Sequence, residues 1–178
     1  TAKIAALSPP NEDKEVIKNR RMEYYRYMSK VSGPSIVVIE DEDFPDCIGA
    51  YWGEINTKIH KRFGLSGVLT NGVVRDLGDL AEDFPVIAGS IGPSHGFVHV
   101  CEINTEIKLF GMKVAPNDLI HADLHGAVVI PETIIENLQE AIHKLFASER
   151  LILEPTEKKD FNFDAFKDAW EKFEKSRT

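Results

Sequence analysis

Residues 67–79 read Gly67-Val68-Leu69-Thr70-Asn71-Gly72-Val73-Val74-Arg75-Asp76-Leu77-Gly78-Asp79. A short apolar run enters a glycine turn, and the chain beyond it sets a guanidinium and a carboxylate side by side. Short apolar strands alternating with helical segments imply βαβ units, and this stretch lies inside such an alternation. The Arg75-Asp76 pair also offers two chemistries at one place. A guanidinium is a planar fork of donors for a carboxylate or keto oxygen, and a carboxylate is an oxygen ligand for a hard divalent cation. In isolation such a pair is ordinarily a weak surface ion pair, so its meaning depends on the residues around it.

Towards the N-terminus, residues 1–7 predict a strand that Ser8-Pro9-Pro10-Asn11 ends. Residues 12–30 predict a helix, with acids in the first turn and Val16, Ile17, Tyr24, Tyr27 and Met28 at approximately helical spacing. Ser32-Gly33-Pro34 stops it. Residues 36–39 read as a buried strand, and Glu40-Asp41-Glu42-Asp43 as a solvated acidic turn rather than a metal site. A helix over residues 52–63 opens at Gly53-Glu54, and strands at 67–70 and 85–88 bracket a short helix at 77–83. Beyond residue 97, short strands at 98–102, 107–110, 112–114, 119–122 and 127–130 predict an antiparallel meander. Residues 132–147 and 161–175 predict amphipathic helices, with Leu151-Ile152-Leu153-Glu154-Pro155-Thr156 between them. The expected architecture is a layered α/β domain with strands inside and helices outside.

A chain of 178 residues has the usual length of one domain, and at that size it buries ~70% of its unfolded surface. Hydrophobic residues at 43% and charged residues at 28% argue against disorder and fibrous classes. With 21 basic against 29 acidic side chains the net charge is −8, and no basic block exceeds Arg20-Arg21, so nucleic acid is not an expected partner. Cys47 and Cys101 have neither zinc spacing nor a disulfide framework; two buried thiols in a reducing cytoplasm fit them. No apolar run approaches ~18 residues and no signal-peptide pattern appears, so neither a membrane span nor a leader is expected in the stretch given.

Several residues have chemistry of their own. Gly53 at the mouth of a helix lets the N–H groups of Glu54, Ile55 and Asn56 approach an anion such as a 2-oxo acid carboxylate, with the helix dipole adding to their pull. Asp79 either caps the segment 77–83 or pairs with a neighbouring arginine, or else takes part in catalysis. His121, Asp123 and His125 share one face if extended, though turn chemistry explains them better than a metal triad. His95 and His99 flank Gly96 and either line a pocket or serve the fold. Tyr24, Tyr25, Tyr27 and Trp170 read as packing residues rather than a stacking platform.

Three blocks, Gly49-Ala50-Tyr51-Trp52-Gly53-Glu54, residues 67–79, and His121-Ala122-Asp123-Leu124-His125-Gly126-Ala127-Val128-Val129-Ile130-Pro131, recur in order and at compatible spacing. Together they resemble the family of 4-hydroxy-4-methyl-2-oxoglutarate / 4-carboxy-4-hydroxy-2-oxoadipate aldolases and their relative, the regulator of ribonuclease activity A. The resemblance implies an α-β-β-α sandwich of the swivelling-domain type over residues 1–155, with 156–178 as a helical extension. Family members carry a helical segment before the strand that residues 1–7 resemble, and that segment is expected to be absent here. Asp76 is implied as the direct metal ligand, Arg75 as the substrate clamp, and Glu54 as an acid acting through the metal's water. So few protein ligands favour Mg²⁺ or Mn²⁺, with water filling the remaining positions. Glu149, or alternatively Glu154, falls where family members carry a glutamate reaching a neighbouring subunit's metal site, implying a trimer or hexamer.

The function so implied is metal-dependent cleavage of a 4-hydroxy-2-oxo acid to pyruvate and a second oxo acid, with oxaloacetate decarboxylation as a related activity. No lysine lies in the matched blocks, which argues against a Schiff base. The competing expectation is a non-catalytic, protein-binding regulator of ribonuclease activity. In the regulator's pattern the acid after the arginine is replaced, whereas Asp76 is present here. A methyltransferase reading has no glycine-rich nucleotide loop to support it.

Overall fold

The computed structural model describes residues 1–177. Its strands are β1 (Ala2–Ala5), β2 (Val37–Asp41), β3 (Ala50–Trp52), β4 (Val68–Thr70), β5 (Val73–Val74), β6 (Val86–Ile87), β7 (Ser90–Ile91), β8 (His99–Ile103), β9 (Ile107–Leu109), β10 (Met112–Val114), β11 (Leu119–Asp123) and β12 (Gly126–Ile130). Its helices are α1 (Lys14–Met28), α2 (Glu54–Arg62), α3 (Ile135–Thr156) and α4 (Phe163–Ser176). Two compact units separate, one of Thr1–Val129 and one beginning at Ile130.

In the first unit a five-stranded sheet has the order β6-β4-β2-β1-β8. Ala2 lies opposite Ile39, Val37 opposite Val68, and Val68 opposite Val86, all in parallel pairs, while β8 runs antiparallel along β1. A second sheet, β3-β5-β7, is parallel throughout, with Val73 opposite both Ala50 and Ser90. Three stretches of chain supply both sheets in turn, β2 then β3, β4 then β5, and β6 then β7. Two of these passages are made by glycines. Gly89 and Ser90 both donate their N–H to the Gly72 carbonyl, at 3.0 and 3.2 Å, and a Cβ on Gly89 would stand 2.1 Å from the Asn71 carbonyl oxygen. Gly72 therefore marks a break between strands of one direction, not the turn that presents Arg75-Asp76; those residues follow the end of β5.

Each face of the larger sheet buries its own apolar cluster. Ile4, Val37, Ile39, Val68 and Val100 face Tyr24 and Met28 of α1 together with Trp52. Val38 and Leu69 face Ile107, Leu109 and Val114 of the β9–β10 ribbon. Strands buried on both faces read as continuous apolar runs rather than alternating ones, as Ile36-Val37-Val38-Ile39 does. Fully burying each such side chain contributes on the order of 1.5–3 kcal/mol.

The mixed α/β expectation holds, with local corrections. Trp52 ends β3, and α2 begins after Gly53 as expected. Residues 77–83 form turns, not a helix: Gly78 interrupts them, Asp79 N–H closes on the Asp76 carbonyl at 2.9 Å, and Asp83 has φ +53°. There is accordingly no helix for Asp79 to cap. The acidic stretch is not wholly solvated. Asp41 is 1% exposed, its Oδ1 accepts the Asp43 N–H at 3.1 Å, and Asp43 Oδ2 accepts the N–H groups of Ala6 and Leu7 at 2.6 and 2.8 Å. The expected meander is instead β8 on the main sheet plus two separate two-stranded ribbons, β10-β9 and β11-β12. Cys47 and Cys101 are free and only half-buried, and desolvation pushes both thiols up to about 12.

The second unit is a helix pair. Residues 151–156, expected as a link, are the last turns of α3, which includes Pro155; lacking an N–H, Pro155 leaves the Leu151 carbonyl without its intrahelical donor. Asn162 Oδ1 caps α4 by accepting the Ala165 N–H at 3.0 Å. Ser148 and Ala169 are buried, one on each helix. No described helix is long and apolar enough to cross a membrane.

Candidate functional site

The site begins with a glycine. β3 ends at Trp52, whose carbonyl accepts the Arg75 N–H at 2.9 Å, so the segment after β5 lies directly against the start of α2. Gly53 has extended backbone there, and a Cβ would stand 2.5 Å from Asp76 Oδ2 and 3.0 Å from Arg75 Cγ. Only a residue without a side chain leaves both groups where they are. Asp76 adopts φ +55°, a left-handed conformation that Asp and Asn visit at the lowest cost among non-glycine residues. Its Oδ2 accepts the Glu54 N–H at 3.1 Å and lies 3.7 Å from Arg75 Nε. The first free donor of α2 is thus taken by the protein's own carboxylate, which gains from the positive helix end.

Gly53, Glu54, Arg75 and Asp76 are therefore brought together. Ile55, Asn56 and Arg75 line an adjoining cleft of about 480 Å³. Ile55 is exposed, while Asn56 is held on both sides: its Oδ1 accepts from Tyr25 Oη at 2.7 Å, and its Nδ2 donates to the Tyr51 carbonyl at 2.5 Å. Glu54 pairs with Lys58 one turn along the helix. Glu149 lies in the second unit, exposed on α3.

Behind the cleft the support is buried and polar. His60 on α2 is fully buried; its Nδ1 lies 2.6 Å from the Asn56 carbonyl, and Tyr24 Oη lies 2.7 Å from Nε2. A carbonyl only accepts, so Nδ1 carries the proton and Nε2 accepts from Tyr24. Burial lowers the imidazole to about 4 and drives the Tyr24 phenol well above its ordinary value. The pair is thus neutral, suited to fixing Asn56 rather than to exchanging protons.

The other histidines divide. His95 and His99 line the cleft. His121 Nε2 and His125 Nδ1 lie 3.4 and 3.3 Å from Asp123 Oδ2, and Asp123 Oδ1 accepts the His125 N–H at 2.8 Å. That backbone bond is the main cause holding the Asp123 carboxyl below its usual range, so this cluster shapes a turn. Sequence reasoning missed Arg21 as a lining residue and took Tyr25 for packing. The available signal was the four-residue spacing of Ile17, Arg21 and Tyr25, which places them on one face of α1.

A hard cation is compatible with this donor set. Asp76 is about one-third exposed, and its Oδ1 makes no hydrogen bond among the described residues. No group of three or more His, Cys, Asp or Glu among the described residues is placed to hold a metal ion. One carboxylate oxygen with open surroundings suits a strongly hydrated ion that retains most of its water, not a closed zinc cage.

Comparison with known proteins adds the family. A protein from Halalkalibacterium halodurans with the provisional name 4-hydroxy-4-methyl-2-oxoglutarate aldolase is 26% identical over 151 residues, 79% of this chain and 71% of that protein. Protein DlpA of Legionella pneumophila is 31% identical over 124 residues, 68% of this chain; the chain spans 19% of that relative's length. Among solved structures, the Streptomyces coelicolor protein RraAS2, described as an unusual member of the RNase ES inhibitor RraA protein family, shares the fold. It gives a TM-score of 0.62 at 18% identity, over 84% of this chain and 73% of its own. The RraA-like family model, Aldolase/RraA, matches residues 14–129 and so takes in α1, every strand of the two sheets except β1, and the whole Gly53–Asp76 cluster: the chain belongs to the RraA-like family.

Proposed function

We propose that the protein is a divalent-metal-dependent aldolase that cleaves a 4-hydroxy-2-oxo acid to pyruvate and a second oxo acid. The observation that carries this reading is the packing of Arg75 and Asp76 against Gly53-Glu54 at the mouth of a cleft, joining an anion clamp, a hard-cation ligand and a second acid. Asp76 would hold Mg²⁺ or Mn²⁺, which when bound polarises the 2-oxo acid and makes nearby water more acidic. Arg75 binds the carboxylate and keto end through its donor fork and stabilises the enolate oxygen as charge develops there. Glu54 receives, by way of a water, the proton of the 4-hydroxyl, after which the C3–C4 bond breaks. Protonation of the enolate carbon gives pyruvate. The same enolate would arise from oxaloacetate by loss of carbon dioxide.

In this reading the active unit is a trimer or hexamer, and Glu149 of one subunit completes a neighbour's site. The test is pyruvate release from 4-hydroxy-4-methyl-2-oxoglutarate, 4-carboxy-4-hydroxy-2-oxoadipate and oxaloacetate, with and without Mg²⁺. Metal-stimulated release from at least one of them is expected. Its absence from all three in a folded protein overturns the aldolase reading.

A further inference from the structure

Asp41 ends β2 with a buried carboxyl group that the proposed chemistry does not use. It is 1% exposed and takes part in no ion pair among the described residues. Oδ1 accepts the Asp43 N–H at 3.1 Å, whereas Oδ2 is buried without a hydrogen-bond partner. From the turn that follows, the charged neighbours bearing on it are Asp43 and Glu42, both acidic, and Cys47 beside it is a thiol that burial pushes up to about 12. Lys3 of β1 pairs with Glu42 and Glu102 instead, and Lys108 of β9 lines an outer cleft with Glu40 and Glu42. Thr70, Asn71 and Gly72, at the end of β4, bring no charge. Desolvation is the main cause raising the Asp41 carboxyl, and the Asp43 N–H and the weakly donating thiol pull it back only in part. Burying a neutral carboxyl without a partner costs far less than burying an ionised one.

This carboxyl lies against the segment that bears Arg75 and Asp76. Asn71 clamps Asp41 from both sides, accepting its N–H on Oδ1 at 2.6 Å and donating from Nδ2 to its carbonyl at 3.2 Å. The next residue is Gly72, where a Cβ would stand 2.8 Å from Asp41 Oδ2 and 3.0 Å from Asp41 Cβ. The chain therefore passes from β4 to β5 directly over the carboxyl, and β5 leads to Arg75, whose N–H is held by the Trp52 carbonyl at 2.9 Å. We propose that Asp41 is a proton-operated latch beneath this passage: carrying a proton, it lets residues 72–76 close over it, and once ionised it draws in water and loosens them. A cleft of about 560 Å³ that reaches Asp41 and Asn71 supplies the water. The folded carboxyl is raised above its unfolded value of ~3.9, so the closed state's advantage is complete below that pH and is lost as pH rises through the folded value. The latch requires neither metal nor substrate.

The test is amide hydrogen exchange of the metal-free full chain from about pH 4 to 8, each rate divided by its intrinsic value, beside ¹³C NMR of the Asp41 carboxyl. Protection of the Gly72 and Arg75 amides, taken as the ratio of the unmodified chain to Asp41→Asn, should fall by up to about tenfold per pH unit above ~3.9 and level off where the carboxyl is ionised. The ratio cancels the contribution of His60, which both chains share. Val37 and Val68, whose N–H groups bond to the Gly67 and Pro85 carbonyls at the other end of the same strands, should hold a constant ratio. If Asp41→Asn does not fold, protection of Gly72 and Arg75 relative to Val37 and Val68 in the unmodified chain must still follow the carboxyl signal. A carboxyl titrating at or below ~3.9, protection at Gly72 and Arg75 that does not follow the carboxyl, or an equal change at all four amides overturns the latch.

Discussion

Replacing Arg75 by lysine keeps the charge and removes the fork. If the clamp assignment holds, kcat/KM for pyruvate release falls by on the order of 10²-fold, the loss of one preorganised donor to a developing oxyanion; unchanged kinetics would reject it. Asp76→Asn is a sharper probe because so little else changes. Asparagine tolerates φ +55° as readily as aspartate, and its amide oxygen still accepts the Glu54 N–H. Metal-stimulated turnover should vanish while the melting temperature stays within a few degrees; turnover near the original level would remove Asp76 from the site. Gly53→Ala tests the contact between the two halves. Its Cβ would stand 2.5 Å from Asp76 Oδ2, the far end of a side chain that can swing away, so activity should drop much more than stability. A variant with full Mg²⁺ activation would show that the Asp76 position is not needed. At this scale the dipeptide and Gly53 were legible because their chemistry is local. That Asp76 takes the helix's own Glu54 N–H was not, since it joins residues 22 positions apart.

The supporting element is α2, which places Asn56 in the cleft and His60 beneath it. His60 is held neutral by burial, with its imidazole lowered from 6.5 to about 4. Between those values the unfolded chain binds a proton that the folded chain does not, so stability rises with pH across that window. It is fully present above pH 6.5 and is lost as pH falls towards 4, by roughly 3 kcal/mol for a shift of that size. Urea midpoints at pH 7.0, 5.5 and 4.5 should decline accordingly, and NMR should find the His60 ring unprotonated at pH 5.5; a ring titrating near 6.5 in the native protein would refute the account. Elements formed by strong apolar runs, such as β2 and β4, and helices with clear stops, such as α1, were legible from sequence. Residues 77–83 were not, because the apolar spacing of Leu77 and Leu80 imitates a helical turn, whereas Gly78 and the left-handed Asp83 decide the backbone. The length of α3 was hidden by Pro155, which reads as a helix breaker although the helix runs one residue past it.

For the molecule as a whole, α3 raises the question of assembly. At 100° per residue, Ile135, Ile142, Phe146 and Leu153 fall on one face, and all four are exposed, Phe146 and Leu153 by 57 and 56%. Glu149 lies on that same stripe, three residues after Phe146 and four before Leu153. A carboxylate set within exposed apolar side chains is what a subunit contact carrying a functional acid requires, since large exposed apolar patches mark interaction surfaces. If Glu149 completes a neighbour's site, activity per subunit should fall on dilution below the dissociation constant of the oligomer. Asp76→Asn and Glu149→Gln should each be nearly inactive alone. Mixed together, they should regain part of the activity, because some interfaces then pair an intact Asp76 with an intact Glu149. Phe146→Asp, a charge on the same stripe, should dissociate the assembly in sedimentation and abolish activity without unfolding the first unit. A fully active monomer, or no recovery on mixing two folded inactive variants, would leave Glu149 as a surface carboxylate and place the whole site within one chain.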